Sequence, residues 1–220
     1  MFCGFSQTKS LSFYADQLDV DLIAVEGMQA ADPINKGFAA PGARHWLLQM
    51  IDAKHLAAVN VKWCWQSGVD RDKGEEASIT ANRSQLQDRF YAGLMRSGRV
   101  VVPADGWFDS SLHEGFKPAL NCKRSGQAMF LPALSNHVFG DPNSDRDGFV
   151  IIVSAPGKLK GSESERPVVL NRAEALTWMS RNISHQQALR MIQEHPLDLP
   201  VMVRKEAALG ERHQGMHAEL

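Results

Sequence analysis

The side chains of this sequence that could do chemistry lie far apart along it: Cys3, the pair Asn82-Arg83, and Asp109. Cys3 sits between Phe2 and Gly4-Phe5. Termini are usually frayed and polar, so two phenylalanines there point to a packed-down end. The thiol is then either a reactive group or a small apolar residue that helps anchor the segment. Asn82 and Arg83 could hold a sugar hydroxyl and a phosphate; they could equally be a helix cap and a surface ion pair. Asp109 is a carboxylate beside two aromatics, at the end of the stretch RVVVPADGWFDS, and an ordinary hairpin would carry it on its wet face. Trp63 and Trp65 could be core, or a platform for an unstacked base.

The elements that must position these groups follow from local pattern. Val100 to Val102 read as a buried strand, Pro103-Ala104-Asp105-Gly106 as a tight turn, and the following aromatic stretch as a second strand of a hairpin that carries Asp109. Leu11 to Leu18 reads as a short amphipathic helix. Asp32-Pro33 is a turn candidate, and Ala40-Pro41-Gly42, with Pro41 as loop punctuation, leads into a strand at His45 to Leu48. Ala57 to Trp65 is a strand whose regular pleat would put Val61, Trp63 and Trp65 on one face, with Cys64 an inert buried thiol between the tryptophans.

A charged loop spans Asp70 to Glu76. Ala77 to Gln85 then reads as a short strand running into a helix over about 85 to 96. Ala119 to Cys122 and Ala128 to Leu134 are weaker strands, and Phe149 to Pro156 is the clearest strand in the chain. Asn171 with Glu174, and Ser184 with Gln187, are capping-box patterns that start helices at Arg172 and after Ser184, the second ending before Pro196.

Composition narrows the classes. At 220 residues with 44% hydrophobic content the chain can bury a real core, and 10 Pro and 17 Gly are spread without a linker, which reads as one domain. A formal net charge of -1 excludes nucleic-acid binding by bulk charge. A local basic face from Arg83, Arg89, Arg96 and Arg99 remains. Three cysteines without C-x-x-C spacing argue against a disulfide framework and a structural zinc site, and so for a reducing compartment. With no apolar run of about 18 residues and no signal pattern, a soluble cytoplasmic protein that engages no membrane is expected.

Taken in order, Cys3-Gly4, Ala40-Pro41, Trp63, Asn82-Arg83-Ser84, Val102-Pro103-Ala104-Asp105-Gly106 with Trp107-Phe108-Asp109, and Arg166-Pro167-Val168-Val169-Leu170 before a helix resemble the SRAP family. These are SOS-response-associated peptidase proteins, which attach to abasic sites in single-stranded DNA. The resemblance runs from Cys3 to about Val203, and VPADGWFD is its most specific part. It implies an α+β fold, a bifurcated and mainly antiparallel sheet with a small β-barrel, surrounded by helices, over residues 1–204, with a flexible tail at 205–220.

It also implies the chemistry. The α-amine of an N-terminal cysteine condenses with the abasic aldehyde to a Schiff base, and the thiol of the same residue closes a thiazolidine ring. Cys3 would be that nucleophile, Asp109 the general acid/base, Asn82 the sugar contact and Arg83 the phosphate contact, with Pro41 and Trp63 lining the DNA groove. The partner implied is single-stranded or abasic DNA, and no cofactor or metal is called for.

Four departures bear on this chemistry. Cys3 follows Met1-Phe2, and a bulky Phe2 should keep Met1, so Cys3 would have an amine only after self-cleavage of the residues before it. Asp109 stands where the family has Glu, and a retreat of about 1 Å can cost on the order of 100-fold. The family's N-A-R-S-E appears as Ala81-Asn82-Arg83-Ser84-Gln85, which turns Asn82 to the opposite face unless a bulge restores it. The family's H-x-R-M-P appears as Ser164-Glu165-Arg166-Pro167, with Ser164 in the histidine slot. His137 is the one histidine to check for spatial rescue; Glu163 or Glu165 could lend a proton, or be solvated loop charges.

The expectation is an autopeptidase and DNA-crosslinking protein, impaired by the missing histidine and slow to reverse any adduct. A non-catalytic single-strand-binding module is the competing reading. A thiol peptidase acting on other proteins is weaker, because its minimum equipment is a Cys-His pair.

Overall fold

A central strand of β-branched residues organises the molecule, as the run Val100-Val101-Val102 predicts. The computed structural model describes residues 2–26, 36–66, 77–109, 119–123, 127–140, 147–154 and 165–196, with the backbone alone at 36, 109 and 119–123. In chain order the elements are β1 (Phe2–Gln7), α1 (Leu11–Leu18), β2 (Asp21–Glu26), β3 (Lys36–Ala39), β4 (Arg44–Met50), β5 (His55–Lys62) and β6 (Thr80–Asn82). A 3-10 turn (Arg83–Gln85), α2 (Arg89–Ser97), β7 (Arg99–Ala104), β8 (Gly106–Asp109), β9 (Ala119–Lys123), β10 (Met129–Ser135) and β11 (Phe149–Ser154) follow, then β12 (Arg166–Pro167), α3 (Arg172–Met179) and α4 (His185–Glu194).

The strands form two sheets, one of eight strands in the order β12-β11-β10-β7-β4-β5-β2, with β6 joined to β11, and one of four in the order β3-β1-β8-β9. The large sheet is buried on both faces, so its central strands are apolar throughout rather than alternating. Val101, Val150 and Ile152 point into one core with Leu11, Tyr14, Leu94, Trp178 and Ile192 of the helices. Val100, Val102, Ile151 and Val153 point the other way, against Phe2, Phe5 and Trp107 of the small sheet. The molecule therefore has three layers: helices, large sheet, small sheet.

The stretch expected to be a hairpin is instead a crossing between sheets. β7 pairs with β10 and meets β4, whereas β8 pairs with β1 and β9. Asp105 is the corner. Its backbone N–H donates to Ser6 O at 2.8 Å, and its carboxylate accepts from Thr8 N at 2.7 Å, Thr8 Oγ1 at 2.6 Å and Tyr14 Oη at 3.0 Å. Gln7 seals the same seam, donating to Trp46 O and Pro103 O and accepting from Trp46 N. Burial and the Asp105 charge together push the Tyr14 phenol above its ordinary value.

The mixed α+β architecture and antiparallel sheets agree with expectation; the small barrel does not appear. Among the described residues the four-stranded sheet is open, ending in β3 on one side and β9 on the other. α1 spans the expected Leu11–Leu18, and both capping boxes form, at Asn171/Glu174 and Ser184/Gln187. Arg99 is buried and gives its guanidinium to the carbonyls of Met95, Trp178, Ser180 and Ile183, where α2 and α3 end. Burial lowers its tendency to hold a proton. Asp32-Pro33, the loop 70–76, Glu163, Ser164 and the tail 205–220 lie outside the described residues.

Candidate functional site

Cys3 lies in an irregularity of the small sheet. Phe2 is opposite Asp109 and Gly4 opposite Phe108, so Cys3 is the extra residue of a bulge, and half-buried. Bulges re-aim side chains; the second irregularity, opposite Trp107 and Phe108, has its extra residue, Asn121, on β9 and not on the strand that carries Asp109. The expected packing of the segment holds: Phe2 is 1% exposed and Phe5 fully buried. Glycine at position 4 suits the close approach of β3, because a Cβ there would lie 2.9 Å from the backbone oxygen of Ala39 as well as 2.4 Å from Phe38 Cε2.

Trp63 is the pier of this region, not a surface platform. It is fully buried. Phe2 and Phe5 pack on it at ring-centroid separations of 5.6 Å and 5.2 Å, and Phe149 stacks on it at 6.2 Å. Its indole N–H donates to Ile79 O at 2.7 Å. A ring with no exposed face offers no surface for a base to stack on, and Trp63 packs here as core.

The same backbone fixes Pro41. Gly42, at φ 84°, donates to Trp63 O at 2.9 Å, and Trp63 N donates back to Ala43 O at 2.8 Å. Pro41 is held half-buried in that turn. Trp65 departs from the regular pleat: β5 ends at Lys62, and Trp65 enters the helix-side core against Phe90 and Tyr91.

Asn82 and Arg83 follow Ile79 on the far side of Trp63. β6 pairs with β11 in unbroken parallel register, Thr80 to Ile151 through Asn82 to Val153, so no bulge offsets the one-residue shift of Asn82. Its Oδ1 accepts from Ser84 N at 3.0 Å and Ser84 Oγ at 2.8 Å, the capping arrangement weighed from the sequence. Arg83 is half-buried and donates to His195 O at 2.8 Å. One face of its guanidinium is thus engaged at the end of α4. The structure gathers Cys3, the backbone of Asp109 and the Pro41 turn around Trp63, with Asn82 and Arg83 beyond Ile79.

His137 is committed elsewhere. It is buried, with Nδ1 2.9 Å from Asp147 Oδ2 and Nε2 3.2 Å from Glu26 Oε2. Glu165 is half-buried at the entry to β12. The residue that sequence reasoning passed over is Phe38, 38% exposed on β3 and set edge-on to Phe108 at 4.9 Å. No local pattern marks it, because its place comes from β3 lying across Gly4. Among the described residues no group of three or more His, Cys, Asp or Glu side chains is placed to hold a metal, and no helix is long and apolar enough to cross a membrane.

Residues 2–204 match the family model for SOS response associated peptidase (SRAP), and the chain belongs to that family. Among individual proteins it is 29% identical over 191 residues to the abasic site processing protein YedK of Escherichia coli, covering 84% of this chain and 83% of the relative. Solved structures share the fold. A phage-related protein of Bordetella bronchiseptica superposes with a TM-score of 0.68 at 19% identity, covering 88% of this chain and 89% of that one. A protein of Bacteroides thetaiotaomicron gives 0.64 at 14% identity, covering 86% and 85%.

Proposed function

We propose that this chain acts at abasic sites in DNA, seating a single strand against the outer face of the small sheet where Cys3 lies. The observation that carries the reading is the bulge between Phe2 and Gly4, which sets Cys3 apart from the ladder at the end of β8 that bears Asp109. SRAP membership and the abasic-site name of the relative support the substrate. In the covalent form of the proposal, water hydrolyses the Phe2–Cys3 peptide bond, releasing the preceding residues with a free carboxyl group and leaving the α-amine of Cys3 free. The amine condenses with the sugar aldehyde and expels water, then the thiol adds across the C=N bond, its proton passing to nitrogen, to close a thiazolidine.

Asp109 would move protons, and Arg83 would take a phosphate with the donors not engaged by His195, while Asn82, with no bulge to turn it back and its Oδ1 on Ser84, would stay a capping residue. The Pro41 turn would form the rim. A second reading, a non-covalent binding module, is favoured by one observation: Phe2, which must leave to free the amine, is part of the core. The proposed reading expects tighter binding of a single-stranded oligonucleotide with one abasic site than of its undamaged counterpart, whereas the binding module expects salt-sensitive single-strand binding without a covalent product. Equal affinity, or no binding of either, would overturn the proposal.

A further inference from the structure

We infer that Phe38 is the base-stacking surface of this face, taking the nucleobase next to the abasic position. The inference rests on the DNA reading above and assigns a contact within it. Phe38 is the one aromatic among the exposed large apolar side chains of the described residues, the others being Ile23, Val25 and Val138. A single exposed apolar side chain is ordinary on a protein surface. What sets Phe38 apart is how it is held.

Its ring lies over Gly4, the residue after Cys3, in the space where any side chain at position 4 would collide with it. On the other side it is braced edge-on by Phe108, at 83° between planes and 4.9 Å between centroids. Gly4 and Phe108 are themselves paired across β1 and β8. The ring is therefore positioned before any ligand arrives, one residue from the thiol and beside the strand that carries Asp109. Little rotamer freedom is left to lose on stacking.

The ligand chemistry matches. A base flanking an abasic position has lost a stacking neighbour, and an aromatic face restores that contact whatever the base. Trp63 cannot supply it, being fully buried.

The test is the affinity of single-stranded oligonucleotides carrying one stable, non-reactive abasic analogue for wild type, Phe38→Ala, Phe38→Leu and Phe38→Tyr. Phe38→Ala should bind about 5- to 150-fold more weakly, the range for one stacked base. Phe38→Tyr should stay near wild type, and Phe38→Leu, apolar but without a π face, should lose most of the affinity. The slope of affinity against salt should not change, because no phosphate contact is removed. Thermal unfolding of each variant keeps loss of fold separate, and the Tyr-against-Leu contrast holds even if the alanine variant is damaged. If Phe38→Ala and Phe38→Leu bind as tightly as wild type, the stacking role is overturned while the DNA reading stands; if wild type itself binds no oligonucleotide, both fall.

Discussion

Truncating Phe2 to alanine is expected to cost about 3–5 kcal/mol of folding stability, the range for removing a fully buried aromatic ring from a packed core. The ring is 1% exposed, rests 5.6 Å from Trp63, and belongs to the core that joins the small sheet to β5, β7 and β11. Total stabilities are typically about 5–15 kcal/mol, so the loss is a large share of the whole. Urea unfolding reads it directly. With a slope of about 1–3 kcal/mol/M the midpoint should fall by roughly 1–5 M. Phe2→Leu, which keeps most of the volume, should lose less than half as much.

The magnitude matters for function because freeing the amine of Cys3 removes the same ring, together with the Phe2 to Asp109 pairing. A form beginning at Cys3 should therefore be destabilised at least as much as Phe2→Ala. A loss below about 1 kcal/mol in Phe2→Ala would refute this reasoning and remove the energetic barrier to processing.

Asp105→Ala should cost about 2–4 kcal/mol by urea unfolding, since it strands the Thr8 N–H and the Tyr14 hydroxyl at the sheet corner; a near-neutral result would mean the corner is held by Gln7 alone. Tyr14 has its pKa raised by burial and by Asp105, so its contribution is fully present below pH ~10 and is lost above it, where the unfolded chain ionises and the folded one does not. Stability should fall with pH there by about 1.4 kcal/mol per unit for this group, and Tyr14→Phe should flatten that fall. Arg83→Ala should lower the salt slope of oligonucleotide affinity by about 1 while costing little stability; an unchanged slope would leave Arg83 as a brace for His195 only.

Local signals carried far in this chain where a single segment decides the outcome. Leu11–Leu18 and the two capping boxes are specified by residues within a turn of each other, and Phe149–Ser154 by its own apolar run. Partner choice was not legible. Turn chemistry at Pro103 to Gly106 says that the chain bends, not that its two arms join different sheets; Asp105 decides that through Ser6, Thr8 and Tyr14, about a hundred residues away. The same limit explains the tryptophans. A regular pleat would align Trp63 with Trp65, but the strand stops at Lys62 and sends them into opposite cores. Of the site, the packing of Phe2 and Phe5 was readable from their flanking Cys3, whereas Phe38 emerges only when β3 is laid across Gly4.

The central claim is engagement of abasic DNA by Cys3, and intact mass of the untagged protein after incubation with a single-stranded oligonucleotide bearing one abasic site tests it most directly. The covalent account predicts a protein-plus-oligonucleotide mass that lacks the residues before Cys3, minus one water, and its disappearance in Cys3→Ala. An unprocessed mass with no adduct, under conditions where the oligonucleotide is bound, would contradict it and leave Cys3 a structural residue of a binding face.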